Sequence, residues 1–271
     1  MSFALAHKTW RDFRVLWLIL TLAIILLETV FVGVIANFAK EFEYMQRQMP
    51  IFQQVARMLL GADLGGEITP MALVTIGFAH PVLFACNWVF LLSISTKTIA
   101  GEIDAGTIDL IATLPVSRLR MFASLSAVWI LAGIPISLAP VLGAWIGTRV
   151  FAIPAPLQLG NFLLLSVHLY TVYLCVGAVG MFVSAVVSRR GPAIGVLLGW
   201  LLASFLLNFL AQIWSAVEPI DFLFLLHYYR PLPVVRTGAL IPGDLVVLLV
   251  VAAVFWTAGA IRFQGRDIPA T

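Results

Sequence analysis

Four polar side chains stand where apolar ones are expected. Glu28 lies deep in the run "ILLETVFVG", and His80, Asn87 and His168 interrupt later runs in the same way. A carboxyl and two imidazoles could carry protons or hold a cation, and an ionisable group at bilayer depth is costly enough to be a functional candidate by default. The ordinary role of each is a hydrogen bond between helices; the set gains meaning if the members converge with Glu28 on one cavity. No paired pattern such as H-E-x-x-H joins them, so a membrane-embedded enzyme built on Glu28, His80 and His168 has no motif behind it and no catalytic residue is expected. A metal site is not expected either. Cys86 and Cys175 both lie inside apolar runs without a C-x-x-C, and they read as small core hydrophobes.

A second concentration of polar groups is "GEIDAGTIDLIATLPVSRLR", residues 101–120. Ile103, Thr107, Leu110, Ile111 and Leu114 recur at helical spacing, while Glu102, Asp109 and Thr113 fall on the other side. This predicts a short amphipathic helix over 101–114, outside the hydrocarbon because its carboxylates would be costly inside it. Asp104 fits that stripe poorly. Pro115 ends the helix, and Ser117 can cap the third span.

Composition shows what kind of element holds these residues. Of 271 residues, 62% are hydrophobic and 11% charged, with a mean hydropathy of +1.04. Soluble domains average about 25% charged residues, so the chain reads as an integral membrane protein. The apolar runs reach the roughly 20 residues a spanning helix needs, and the alternation of a membrane barrel is absent. The expected fold is therefore all-α, a single transmembrane domain over 1–271 with six spans at about 15–36, 71–96, 117–147, 160–187, 192–214 and 243–263. The first run is longer than a signal-peptide core and lacks a small-residue cleavage site, so it is kept as a span. No basic cluster supports nucleic-acid binding.

The flanks carry their own patterns. Phe3, Ala6, Trp10, Phe13 and Trp17 form an apolar stripe beside His7, Lys8, Arg11 and Arg14, which predicts an N-terminal interfacial helix. Phe42, Met45, Met49, Phe52, Val55 and Leu59 predict an outer amphipathic excursion over 37–70, divided by Pro50. Its size leaves room for an extracytoplasmic partner. Pro219, Pro231, Pro233 and Pro242 exclude one helix across 215–242, and "FLFLL" is too short to span, so a re-entrant or interfacial piece is expected before the sixth span. Gly191, Gly195 and Gly199 give the fifth span a small-residue face for close helix approach. Pro135 and Pro140 should bend the third.

Orientation comes from the loop cations. With the N-terminus inside, the cytoplasmic side holds ten, Lys8, Arg11, Arg14, Lys97, Arg118, Arg120, Arg189, Arg190, Arg262 and Arg266. The longer outer loops hold six, Lys40, Arg47, Arg57, Arg149, Arg230 and Arg236. The bias puts both termini and residues 101–120 in the cytoplasm.

E-x-x-x-G-T at Glu102, Gly106 and Thr107, then Leu110-Ile111, Pro115, Ser117 and Arg118, resembles the coupling segment of ABC-2 type permeases, the membrane subunits of type V ABC exporters. The six-span plan, the N-terminal stripe, the segment before the last span and the closing "RFQGRDIP" are similar to that family as well. The resemblance implies a non-enzymatic permease in the cell inner membrane, driven by ATP and Mg in a separate ABC ATPase subunit. That subunit would dock on a coupling helix between spans two and three through Glu102, Ile103, Gly106, Thr107, Asp109, Leu110 and Leu114. It also implies a second permease copy, identical or related, met through the first and fifth spans, which would place Gly191, Gly195 and Gly199 at a dimer face. The chain itself has no G-x-x-x-x-G-K-[ST], since none of Lys8, Lys40 and Lys97 directly follows a glycine. An ion-coupled secondary transporter and a structural membrane subunit without transport are the alternatives.

Overall fold

The computed structural model describes residues 3–48, 70–108, 116–151, 157–211 and 214–266. They hold no strand. Eight helices carry the architecture: α1 (Phe3–Gln48), α2 (Pro70–Phe78), α3 (Pro81–Thr96), α4 (Arg118–Val150), α5 (Leu159–Val186), α6 (Arg190–Ala211), α7 (Pro231–Thr237) and α8 (Pro242–Gln264). Among the described residues, six helical stretches are long and apolar enough to cross a membrane: Phe3–Phe38, Ala72–Asp104, Arg118–Val150, Leu159–Val186, Arg190–Ala211 and Pro242–Gln264. The chain is an α-helical protein of multi-pass membrane type.

The six alternate in direction. Lys8 meets Glu102, the Arg190 amide meets Asp104, and Arg266 reaches both Arg118 and Ala185, so all six have their charged ends at one end of the bundle. Arg266 closes the C-terminus of α5 there. Its guanidinium donates to the carbonyls of Ala185 and Val187 at 2.8 and 3.3 Å and to Ser188 Oγ at 2.6 Å, which satisfies carbonyls that a helix end leaves without partners.

Packing rests on small residues facing large ones. On α4, Gly143 and Gly147 form a G-x-x-x-G that lies on α1: a Cβ at Gly143 would stand 2.4 Å from the Ile25 carbonyl oxygen, and one at Gly147 2.6 Å from Val32 Cβ. The backbones can approach this closely only without side chains. Thr29 Oγ1 also donates to the Gly143 carbonyl at 3.1 Å. Between α4 and α5, Tyr173 fills the space over Gly133 and Trp129 that over Gly177. Pro135 cannot donate to the carbonyl one turn before it. Around that break, the carbonyls of Trp129, Ile130 and Ala132 accept from Tyr173, Tyr170 and Trp17 at 2.8, 2.9 and 3.0 Å, the way a proline in a span is accommodated.

Two expectations change. The N-terminal stripe does not form a separate interfacial helix: Phe3 to Phe38 is continuous, and backbone outside the helical region occurs only at Phe38. No glycine or proline lies between the stripe and the span to break it. At about 1.5 Å per residue these 36 residues extend roughly 54 Å, against a hydrocarbon core of about 30 Å, so a straight extension serves where a bend was expected. The second span is not one rod either, because α2 stops at Phe78 and α3 restarts at Pro81. The outer excursion begins as helix, as its pattern predicts, running to Gln48; Pro50 and the rest of it to residue 69 lie outside the described residues.

Candidate functional site

The break in the second span gathers most of the intramembrane polar candidates. His80 is the N-cap of α3, its Nδ1 accepting from the Val82 amide at 3.3 Å, with Pro81 at the first helical position. Both features belong to a helix start. His80 therefore has a structural task, and its ring lies 6.0 Å from that of Phe31, one turn beyond Glu28.

Glu28 is fully buried, and neither carboxyl oxygen has a hydrogen-bond partner among the described residues. The carboxyl occupies the space that a side chain on Gly77 would need: a Cβ there would stand 2.3 Å from Oε2 and 2.5 Å from Oε1. Its own Cβ sits over Gly143 of α4, where an added Cβ would be 2.7 Å away. Two glycines on two neighbouring helices thus make the pocket for one carboxyl. Buried polar atoms almost always have partners, so two orphaned oxygens in one group stand out.

Residues 214–241 supply the remaining wall. After 3₁₀ turns at Glu218–Leu223 and Leu225–Tyr228, the chain enters α7 and leaves it at Gly238, which takes the left-handed conformation (φ +63°). The Tyr228 carbonyl accepts from His168 Nε2 at 2.6 Å, and the Val235 carbonyl accepts from Asn161 Nδ2 at 2.8 Å. His168 and Asn161 are two turns apart on α5, so the segment meets that helix at two levels about 10 Å apart. Tyr229 donates its hydroxyl to the Phe78 carbonyl at 3.1 Å, one of the carbonyls that the helix break frees. Its ring lies 5.3 Å from that of His168 and 5.7 Å from that of Phe84. Because the Tyr228 carbonyl can only accept, His168 carries its proton on Nε2, and Nδ1 is left as a buried acceptor without a partner.

Tyr229 therefore ties His168 to the break beside His80, at Phe78, the neighbour of the Gly77 over which the Glu28 carboxyl lies. Asn87 stays apart: its Nδ2 donates to the Leu83 carbonyl of its own helix at 2.9 Å, and its buried Oδ1 has no partner. Sequence reasoning missed Tyr229, since a tyrosine in a proline-rich loop carries no signal of depth. Next to Tyr229 in the chain, Arg230 makes two bonds to Asp244, 2.9 Å from Nε and 2.6 Å from Nη2. That hydrogen bond holds the guanidinium's proton affinity above its ordinary value. The described residues contain no group of three His, Cys, Asp or Glu fit to hold a metal.

At the other end of the bundle, residues 101–108 differ from the expected three-turn helix. The second span continues through a π turn, Lys97–Gly101, into one last turn, Glu102–Asp104. It then stops because Gly106 is left-handed at φ +67°. The Gly106 amide bonds to the Ile103 carbonyl at 3.1 Å and the Thr107 amide to the Glu102 carbonyl at 2.9 Å, the paired bonds of a Schellman cap. Gly106 is thus a helix terminator, and Ile103 lies in the turn that it ends. Asp109, Leu110 and Leu114 lie outside the described residues.

Glu102 is not a free rim charge. It pairs with Lys8 at 3.2 Å and accepts from the Thr107 hydroxyl. Asp104, which the stripe left without a place, accepts the Arg190 amide at 3.2 Å at the start of α6, where a carboxylate is favoured. Residues 102–107 therefore join α1, the second span and α6. Around each of Gly191, Gly195 and Gly199, an added Cβ would meet nothing within 4 Å, so this face of α6 is open among the described residues. No family model and no curated protein matches this sequence.

Proposed function

We propose that the chain is the membrane-spanning permease subunit of an ABC exporter, driven by ATP hydrolysis in a separate nucleotide-binding subunit that docks on residues 101–114. The observation that supports this best is the meeting of three spans at Glu102 to Thr107, within the segment that resembles the coupling region of ABC-2 permeases. A load on this turn reaches α1 through Lys8–Glu102 and α6 through Asp104–Arg190, as force transmission requires. In this reading both termini face the cytoplasm and the membrane is the cell inner membrane. The dip at Tyr229 is a re-entrant segment from the outer side, where an extracytoplasmic partner would also act. The open glycine face of α6 meets a second permease copy.

The test is purification of the tagged chain in mild detergent together with whatever ATPase accompanies it. A co-purifying ATP-hydrolysing subunit, lost with Gly106→Trp while the permease still inserts, supports the reading. A chain that carries no ATPase activity, or one whose activity survives Gly106→Trp unchanged, refutes it. A second reading, an ion-coupled transporter, is favoured by the unpartnered Glu28 carboxyl beside a broken span. Proton- or sodium-driven uptake into vesicles without ATP would select it.

A further inference from the structure

Between α1 and α4, near the end where Glu102 lies, is an apolar cavity of about 500 Å³ that opens sideways. Its walls include Phe3, His7, Trp10 and Trp17 of α1 and Leu131 and Pro135 of α4. The Trp17 indole is held to the Ala132 carbonyl, so the inner wall is fixed. Phe3 and Leu131 at the mouth are 85% and 63% exposed. In a multi-pass membrane protein such a surface faces lipid.

The charges around the mouth are of one sign. At 100° per residue Arg14 falls on the same face of α1 as Phe3, His7, Trp10 and Trp17, with Arg11 at its edge. Both arginines and His7 are exposed, and none has a carboxylate partner among the described residues. The acidic residue of this stretch, Asp12, points the other way, lining a small pocket with Lys8, Lys97 and Glu102. Helix side chains lean toward the N-terminus, which directs the exposed Arg14 side chain toward the end of α1 where His7 lies.

We propose that this groove binds one anionic phospholipid of the inner leaflet, with an acyl chain against Trp10, Trp17, Leu131 and Pro135 and the phosphate on His7, Arg11 and Arg14. A zwitterionic lipid would satisfy the walls but leave the charge of the two arginines without a matching net negative charge. The leaflet rests on the orientation given under the proposed function; the site itself needs neither the ATPase nor transport.

The experiment uses the full chain in vesicles of phosphatidylethanolamine and phosphatidylglycerol at fixed ratio, with brominated acyl chains on one lipid or the other. Bromine quenches tryptophan on contact. Brominated phosphatidylglycerol should quench more strongly than its share of the bilayer predicts, and Trp10→Phe should remove most of that surplus. Arg14→Gln should lower the preference about fivefold, the effect of one cation near an anionic surface, and added salt should act in the same direction. Equal quenching by the two brominated lipids, or a surplus unchanged in both variants, overturns the site. So does ready disulfide formation between two copies of Leu131→Cys, because a second chain would then cover the groove. Loss of ATPase coupling alters none of these readouts, so the two proposals fail separately.

Discussion

Gly77→Ala tests the pocket that holds Glu28. The new Cβ would stand 2.3 Å from Oε2, 2.5 Å from Oε1 and 2.7 Å from Cδ of a side chain with no exposed surface. The carboxyl must move by about an ångström into packed surroundings, and overpacking of this kind costs about 1–3 kcal/mol. Alanine in place of glycine inside a helix returns about 1 kcal/mol, so the single variant should lose up to about 2 kcal/mol. In a Glu28→Ala background the obstacle is gone, and Gly77→Ala should then stabilise by about 1 kcal/mol. The sign reverses, and the coupling between the two positions is about 1–3 kcal/mol. Thermal unfolding in detergent, followed by maleimide labelling of the buried thiol of Cys175, measures it. Sites without contact add to within about 0.5 kcal/mol. A coupling below that value refutes the placement of the Glu28 carboxyl over Gly77.

Gly143→Val and Gly195→Val should part company. The first drives a side chain into the Ile25 carbonyl and should abolish monodisperse protein, whereas the second meets open space and should leave the isolated chain folded, as gel filtration will show. Arg230→Ala leaves the nearly buried Asp244 carboxylate without its two bonds, and because Arg230 is partly exposed the loss should be about 1–3 kcal/mol. The bond to Asp244 raises the proton affinity of Arg230, so its share of stability is complete below the ordinary guanidinium value and lost only as pH rises beyond it. Melting curves on the basic side, from about pH 7 to 10, should therefore show no loss from this arginine.

Composition and run length determined by themselves that this chain is a helical membrane protein with six spans. Twenty consecutive apolar residues have few other stable fates, and a lipid-exposed backbone must satisfy its own hydrogen bonds, which local sequence accomplishes in a helix. The same locality explains the accuracy of the statement about 215–242, where four prolines forbid a continuous helix whatever surrounds them. Tertiary structure decided the rest. Gly143/Gly147 and Gly191/Gly195/Gly199 have the same spacing, yet the first pair carries α1 and the second set carries nothing among the described residues; the difference lies in what stands opposite, which spacing does not encode. Gly106 belongs to an apparent amphipathic stripe, but its left-handed backbone ends the helix and separates Ile103 from the residues beyond. Glu28 was legible as an expensive residue. Its pocket was not, because Gly77 and Gly143 come from distant parts of the chain and meet at Glu28 only when α2 and α4 pack against α1.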